Sequence, residues 1–377
     1  MEDVNSWLEI STSALLHNIR QFRRVIPQRT KLAAVIKANA YGHGMLGVAR
    51  VIHKEVDWLC VADLVEALTL RDSGIKKPIL VLSYYFDNLE QAIRKNISLV
   101  VYSWQQAQAL DRTARSLHQK AKIHFKIDVG TSRLGLNSQT EALAVLKKIA
   151  SLNNVVIEGL FSHFADSENN LPYSQQQLQV FKSFIKEAEA LGMKIPLMHL
   201  ACSAPVTVLP EACFDLVRLG VSMYGSWPSP AVKKLTLKKY PRFSLRPILT
   251  WKTRVMVIKT VPKSTFIGYG SSYRSKQTLK IAILPVGYWD GYDRSLSNQG
   301  EVLIRGRRCP VRGRVCMNMM MVDATSVRGL RLGDEAVLLG QQGAEEITIA
   351  ETAEKASTIH NEITTRINAA LPRVFVK

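Results

Sequence analysis

The feature that most constrains this chain is the alternation of short, β-branched apolar runs with longer amphipathic stretches up to about residue 235. Candidate strands cover residues 32–37, 58–61, 79–82, 99–101, 123–127, 156–160, 198–200 and 216–219. Helical patterns lie between them, as at 103–118, 138–150 and 173–191. Strands separated by helices must run parallel, and about eight such units of roughly 25–30 residues are the count for a closed barrel. Past the proline-containing stretch 227–247 the texture changes. Residues 250–261, 279–284, 301–304, 319–323 and 336–339 read as strands separated by Gly, Asp, Asn and Arg turns. Two short helices are expected at 348–356 and around 362–369. The expected architecture is α/β: a (β/α)8 TIM-type barrel over residues 13–235, followed by a mostly antiparallel β domain over 236–377. The sequence leaves open whether a strand within residues 1–12 joins the second domain.

Composition narrows the function classes. Fifty basic residues against 31 acidic ones leave a formal charge of +19. Lys233, Lys234, Lys238, Lys239, Arg242, Arg246, Lys252 and Arg254 fall within 231–254, which has no acidic residue. Arg305, Arg307, Arg308, Arg312 and Arg314 form a second knot. Neither cluster sits in a nucleic-acid-binding motif, so a solvated basic surface that attracts small anions is expected, with no nucleic-acid partner. The five cysteines are scattered and lack metal-ligand spacing, which fits free thiols in a reducing compartment and no metal site. No segment has the apolar length of a membrane span, and the start MEDVNSWLEI lacks the pattern of a secretory signal. A cytoplasmic protein without a membrane partner is the expectation.

Chemistry-bearing residues then fall at or just after the ends of candidate strands. These are Lys37, Arg133, His163, Ser203 and Arg218, and barrel enzymes assemble their sites from the carboxyl ends of their strands. Lys37 closes the apolar run LAAVIK, where partial loss of hydration favours the neutral, nucleophilic amine. The glycines after it follow the lysine instead of preceding it, so the segment is no Walker loop.

KANAYGHG resembles the cofactor-lysine signature of the alanine racemases, and the similarity runs through essentially the whole chain. The resemblance implies that Lys37 forms the Schiff base with pyridoxal 5'-phosphate and that Tyr41 helps hold its phosphate. In FKIDVGTSRLG, Asp128 and Gly130 shape a turn. Arg133 matches the arginine near the cofactor's phenolic oxygen and the substrate carboxylate, and Lys126 matches a lysine often carbamylated in the family. A carbamate would give Arg133 an anionic partner; otherwise Asp128 is the alternative anchor. His163, in LFSHFADSE, matches a histidine that orients a tyrosine and an arginine. HLACSA and VRLGVSMYG imply phosphate contacts from Ser203, Gly220 and Val221, with Arg218 facing the pyridine nitrogen. An arginine there offers only donors, so the ring nitrogen stays unprotonated and the ring is a weaker electron sink, which suits racemisation.

In the second domain, GYGSSY places Tyr269 on the family's catalytic tyrosine, with Tyr273 nearby, and LPVGYWDGYDR carries Tyr288 at the substrate entrance. GRVCMNM retains Met317, whose backbone N–H is expected at the substrate carboxylate. Three positions depart from the family pattern: Asn318 replaces an aspartate, Cys202 an asparagine and Phe375 a phosphate-binding tyrosine. The resemblance implies an isomerase interconverting L- and D-alanine through the cofactor's aldimine, with Lys37 and Tyr269 as bases on opposite faces. Its product would supply peptidoglycan precursors. A homodimer with shared active sites is implied as well. A racemase of broader specificity, acting for example on serine, and a cofactor-binding protein without turnover are the alternatives. A decarboxylase of similar plan is disfavoured because it uses a cysteine-centred arrangement in place of the tyrosine block.

Overall fold

The computed structural model describes residues 5–377. They divide into two compact units: residues 15–38 with 45–246, and residues 5–14, 39–44 and 247–377.

The first unit is the barrel. After β1 (Ser6–Ser11), which belongs to the other unit, come β2 (Lys31–Val35), β3 (Trp58–Asp63), β4 (Ile79–Tyr84) and β5 (Ser98–Val101), then β6 (Ala121–Lys126), β7 (Val155–Phe161), β8 (Leu197–His199) and β9 (Leu216–Leu219). Sheet order is β8-β7-β6-β5-β4-β3-β2-β9, with every assigned pair parallel. Two backbone bonds, Asp215 N–H to Met198 O (3.0 Å) and Arg218 N–H to Ala201 O (3.0 Å), link β8 to β9 and close the ring. The strands are nearly continuous buried runs because helices cover the outside while side chains fill the inside. The helix Trp104–Ser116 shows how these crossovers are built: the Ser103 hydroxyl caps its N-terminus by accepting from Gln106 N–H, and Ala107, Leu110 and Ala114 form its buried stripe.

The second unit is built on antiparallel sheets. β10 (Leu249–Arg254) pairs β1 antiparallel, and β1 pairs β20 (Arg373–Val376) parallel, so the chain's first and last strands lie in one sheet. Residues 250–261, expected as one strand, are two. After β10 the chain leaves its sheet at Val255, whose N–H donates to Asp334 O. It re-enters another sheet as β11 (Val257–Val261), paired with β14 (Leu279–Leu284) across the minor hairpin β12 (Phe266–Ile267) and β13 (Tyr273–Arg274). The two late helices occur as Ile349–Lys355 and His360–Thr365.

The division between units falls after Arg246, beyond the expected residue 235, for an identifiable reason. The Asn18 side chain donates to Arg246 O (2.8 Å) and accepts from Arg246 N–H (2.8 Å), while Ser244 N–H donates to Gln21 (3.3 Å), which ties 244–246 to the barrel's first helix. Residues 39–44 also group with the β unit. Arg373 Nε donates to Gly42 O (3.1 Å), and a Cβ on Gly42 would stand 2.0 Å from Thr364 O.

Three arginines of the knot, Arg305, Arg308 and Arg312, enter ion pairs. Arg308 engages Glu301 (3.0 Å), Glu345 (3.0 Å) and Glu351 (2.7 Å), Arg305 engages Asp334 (2.8 Å), and Arg312 approaches Asp323 (3.6 Å). Among the described residues no helix is long and apolar enough to cross a membrane.

Candidate active site

β2 ends at Val35, and the chain turns at once through an unusual segment. Ala38, Asn39, Ala40 and Tyr41 all have φ between +52° and +55°, a full left-handed turn without glycine. Each such residue costs about 1–2 kcal/mol, so surrounding contacts must hold the turn in place. Gly44 N–H closes it onto Asn39 O (2.9 Å), and His43 Nδ1 bonds Ala40 O (2.8 Å). Lys37 stands at its start, half-buried. Burial first, and then the charge of Arg133, lower its pKa, with Glu66 opposing.

Lys126 ends β6 inside the barrel, 4% exposed, with its ammonium 5.3 Å from the Phe161 ring centre. Burial and the nearby cations Arg218, Arg133 and Lys37 bring its pKa down to about 8, against a partial opposing pull from Asp128. At neutral pH a useful fraction of this amine is therefore unprotonated.

The loop after β6 carries Arg133. Asp128 organises it by accepting from Gly130 N–H (2.8 Å), Thr131 N–H (2.7 Å) and the Thr131 hydroxyl (2.9 Å), which holds its carboxyl below the ordinary range despite burial. The carboxylate is thus engaged in its own turn. It makes no bond to Arg133, which is exposed, so the structure does not support Asp128 as that arginine's anchor.

Arg218, on β9 and 3% exposed, is the most constrained cation. Nη1 donates to His199 Nδ1 (2.6 Å) and His199 O (3.1 Å). Nη2 donates to Ser162 O (2.7 Å) and Leu200 O (3.1 Å), with His163 Nδ1 at 3.3 Å. Its guanidinium also lies 5.3 Å from the Phe161 ring centre. These contacts use both terminal nitrogens. Among the described residues Nε has no protein acceptor, so one rigid donor remains for a ligand. Burial and then the charges of Arg218, Arg133, Lys126 and Lys37 push the His163 pKa well down, and burial with Arg218 does the same to His199, so both imidazoles are neutral.

Beyond β8 and β9 lies a cluster of hydroxyl and backbone N–H groups. The Ser203 hydroxyl accepts from Gly220 N–H (3.1 Å) and more loosely from Ser222 N–H (3.5 Å), and the buried Ser222 hydroxyl has no partner. A phosphate oxygen is the acceptor that such a set lacks. The sequence reading named Ser203, Gly220 and Val221 but missed Ser222. It also missed His199, because a histidine inside a short apolar strand gives no signal of its inward neighbours.

The β unit carries a second group. Tyr269, Tyr288, Arg294, Arg314, Met317 and Asn318 line an open cleft of about 460 Å³. Its floor is set where Tyr288 N–H donates to Cys316 O (3.0 Å) and Trp289 N–H to Met317 O (2.9 Å). This close approach requires Gly287: an added Cβ would lie 2.1 Å from Cys316 O. Tyr269 is 75% exposed and Met317 54%. Tyr273 packs its ring under Arg312, 4.7 Å away. Tyr41 is half-buried in the 39–44 segment of this unit, and Phe375 lies against Gly44. The candidate residues thus form two sets: Lys37, Lys126, Arg133, His163, Ser203, Arg218, Gly220 and Val221 in the barrel, and Tyr41, Tyr269, Tyr288 and Met317 in the β unit.

Comparison with known proteins gives this arrangement a family. Residues 10–228 match the model of the alanine racemase N-terminal domain, and residues 248–375 that of the C-terminal domain. The chain belongs to the alanine racemase family. It is 39% identical to an alanine racemase of Methanococcus maripaludis, over 98% of each chain, and 41% identical to that of Symbiobacterium thermophilum, over 98% and 97%. Among solved structures, the alanine racemase of Clostridium difficile 630 superposes with a TM-score of 0.95 at 34% identity, covering 100% of this chain and 97% of its own. That of Bacillus anthracis with bound L-Ala-P gives 0.91 at 32%, covering 99% and 95%. The family match spans both units, so the barrel and the β unit belong to one enzyme plan.

Proposed function

We propose that this protein is an alanine racemase that uses pyridoxal 5'-phosphate, bound through Lys37 at the carboxyl end of the barrel. The observation that carries the cofactor reading is the donor set left open there: the Ser222 hydroxyl is buried without a partner, the Arg218 hydrogen bonds run through Nη1 and Nη2 and leave Nε unused, and the same end of the barrel holds the half-buried Lys37. When bound, the cofactor supplies the electron withdrawal that makes the substrate's α-proton removable.

The chain's own residues do the rest. Ser203, Ser222 and the backbone of Gly220 and Val221 receive the phosphate, with Tyr41 assisting. Arg218 donates Nε–H toward the ring nitrogen and keeps it unprotonated. Arg133 binds the substrate carboxylate with the N–H of the partner's Met317, and the partner's Tyr288 lines the way in. Lys37, with its lowered pKa, takes or returns the proton on one face. A tyrosine, Tyr269 of the partner subunit, does so on the other, and His163 orients it. Each positioned acid–base group typically contributes about 10²–10⁴-fold.

A homodimer follows from the same reading. Tyr269, Trp289 and Met317 present large apolar surface to solvent in the β unit, at 75%, 64% and 54% exposure. Such grouped exposure supports the reading that another chain covers this surface. No step requires a metal ion.

Borohydride reduction of the purified protein, digestion and mass mapping test the assignment. A pyridoxyl adduct on Lys37 is expected, along with interconversion of the alanine enantiomers in a chiral assay that includes serine. An adduct on another lysine, or none, overturns the site; turnover of serine ahead of alanine overturns the substrate.

A further inference from the structure

Below the site, the barrel interior holds polar side chains that the proposed reaction does not use. Between β6 and β7 the register steps from Ile123↔Ile157 to His124↔Gly159, so Glu158 is an extra residue on β7. Such a bulge re-aims a side chain. Next to it, a Cβ on Gly159 would lie 2.2 Å from His124 Nδ1; only a glycine leaves room for that ring. His124 Nδ1 is 2.8 Å from His199 Nε2, whose ring then meets Arg218 through Nδ1 at 2.6 Å. At the far end His124 Nε2 makes no hydrogen bond but lies 3.5 Å from Glu158 Oε2, an oxygen that accepts from the Ser98 hydroxyl (2.6 Å), while Lys122 stands 3.8 Å from Oε1. Both histidines are fully buried.

The chemistry of the end group sets the direction of this chain. A guanidinium only donates, so His199 Nδ1 must accept. A neutral imidazole then carries its proton on Nε2, which donates to His124 Nδ1. His124 in turn carries its proton on Nε2, the nitrogen 3.5 Å from the Glu158 carboxylate. Burial lowers the pKa of both rings, with Arg218 adding to the effect, while at His124 the Glu158 carboxylate opposes it. The opposite tautomer of His199 would set N–H against N–H at 2.6 Å.

We infer that Glu158 and His124 are positioning residues for Arg218: from the far end of the chain the carboxylate favours the same His199 tautomer that Nη1 requires, and so helps hold the guanidinium with Nε free toward the site. The last step, that Nε meets a cofactor ring nitrogen, rests on the function proposed above; the tautomer chain does not.

Long-range ¹⁵N NMR of histidine-labelled holoenzyme reads ring protonation directly. The expected result is Nε2–H on both His124 and His199. Glu158→Leu removes the terminal acceptor and is expected to mix both tautomers, shift the bound cofactor's absorption and lower kcat by roughly 10–100-fold, the scale of a small misplacement at a reacting centre, with KM changed little. Glu158→Gln keeps an oxygen acceptor and is expected to restore both tautomers and most of kcat. Nδ1–H on His199 in the wild type overturns the inference, as does a Glu158→Leu variant with wild-type tautomers and kcat. Should the Leu variant fail to fold, the wild-type spectrum and the Gln variant still decide. Correct tautomers in a protein that carries no adduct on Lys37 uphold the relay and reject the cofactor reading. An adduct on Lys37 with reversed tautomers does the opposite.

Discussion

Gly159→Ala is the substitution whose cost can be worked most directly from the structure. The added methyl would meet three atoms of one ring: Nδ1 of His124 at 2.2 Å, Cε1 at 2.6 Å and Cγ at 2.9 Å. That ring cannot slide away freely, since Trp58 packs edge-on against it at 5.4 Å and His199 at 5.0 Å. Overpacking of this kind costs about 1–3 kcal/mol, and displacing the ring breaks a buried hydrogen bond worth about 1 kcal/mol. The expected destabilisation is therefore about 2–4 kcal/mol, a drop in Tm of roughly 4–16 °C for a barrel unit of this size. Thermal unfolding followed by circular dichroism measures it. Gly74→Ala is the control: it has open space around it and only the left-handed strain of φ +86° to bear, about 1–2 kcal/mol. Adding His124→Ala to Gly159→Ala should relieve the clash, giving strong non-additivity in the cycle. A Gly159→Ala protein that melts with the wild type, or a double variant whose losses simply add, refutes the packing argument.

Three further outcomes are expected. Mixing Lys37→Ala and Tyr269→Phe subunits, each nearly inactive alone, should restore up to about half of a wild-type dimer's activity, since one site per mixed dimer is then intact; demonstrated subunit exchange without recovery rules out shared sites. Stripping carbon dioxide should lower activity and bicarbonate restore it if Lys126, with its pKa near 8, is carbamylated and anchors Arg133; a plain amine in electron density and no carbon-dioxide dependence would end that idea. In protein without cofactor, Lys126 loses its proton near pH 8 while the unfolded chain keeps it to the ordinary 10.5, and Lys37 is shifted in the same direction. The unfolded state then binds more protons, so stability should rise with pH between about 8 and 10.5; urea titrations at the two ends check this, and Lys126→Met should flatten the rise.

The barrel was legible because its signal is periodic and repeated: eight short apolar runs with helical spacing between them leave few architectures. The barrel side chains at strand ends were legible for the same reason, since strand ends are where such a fold exposes chemistry. What escaped the sequence depends on contacts between distant residues. Nothing in Ala38–Asn39–Ala40–Tyr41 announces a left-handed turn, because none of these residues is a glycine; packing of the 39–44 segment against Thr364 and Arg373 holds it. Residues 250–261 keep strand composition throughout, and only the bond from Val255 to Asp334 shows where one sheet ends. The Glu158–His124–His199 chain joins three strands through a one-residue register step, which no local window contains.

Charge shows the difference between composition and site most clearly. The formal +19 says little about where an anion would bind. In the arginine knot, Arg305, Arg308 and Arg312 face Glu301, Glu345, Glu351, Asp323 and Asp334 and are neutralised in place. At the barrel end the carboxylates within reach are already engaged: Asp128 binds the N–H groups of its own turn, and Glu66 accepts from Ala62 N–H (2.9 Å). Lys37, Lys126, Arg133 and Arg218 therefore repel one another in a partly dry space, and the fold answers by different means. Arg218 is held by carbonyls, imidazole nitrogen and the face of Phe161, while the two lysines yield by a lowered pKa. An anionic ligand removes the repulsion that these devices only contain. Phosphate and substrate carboxylate should accordingly bind more tightly than hydrogen bonds alone would give, and neutralising any one of the four cations should weaken anion binding beyond the loss of that residue's own contact.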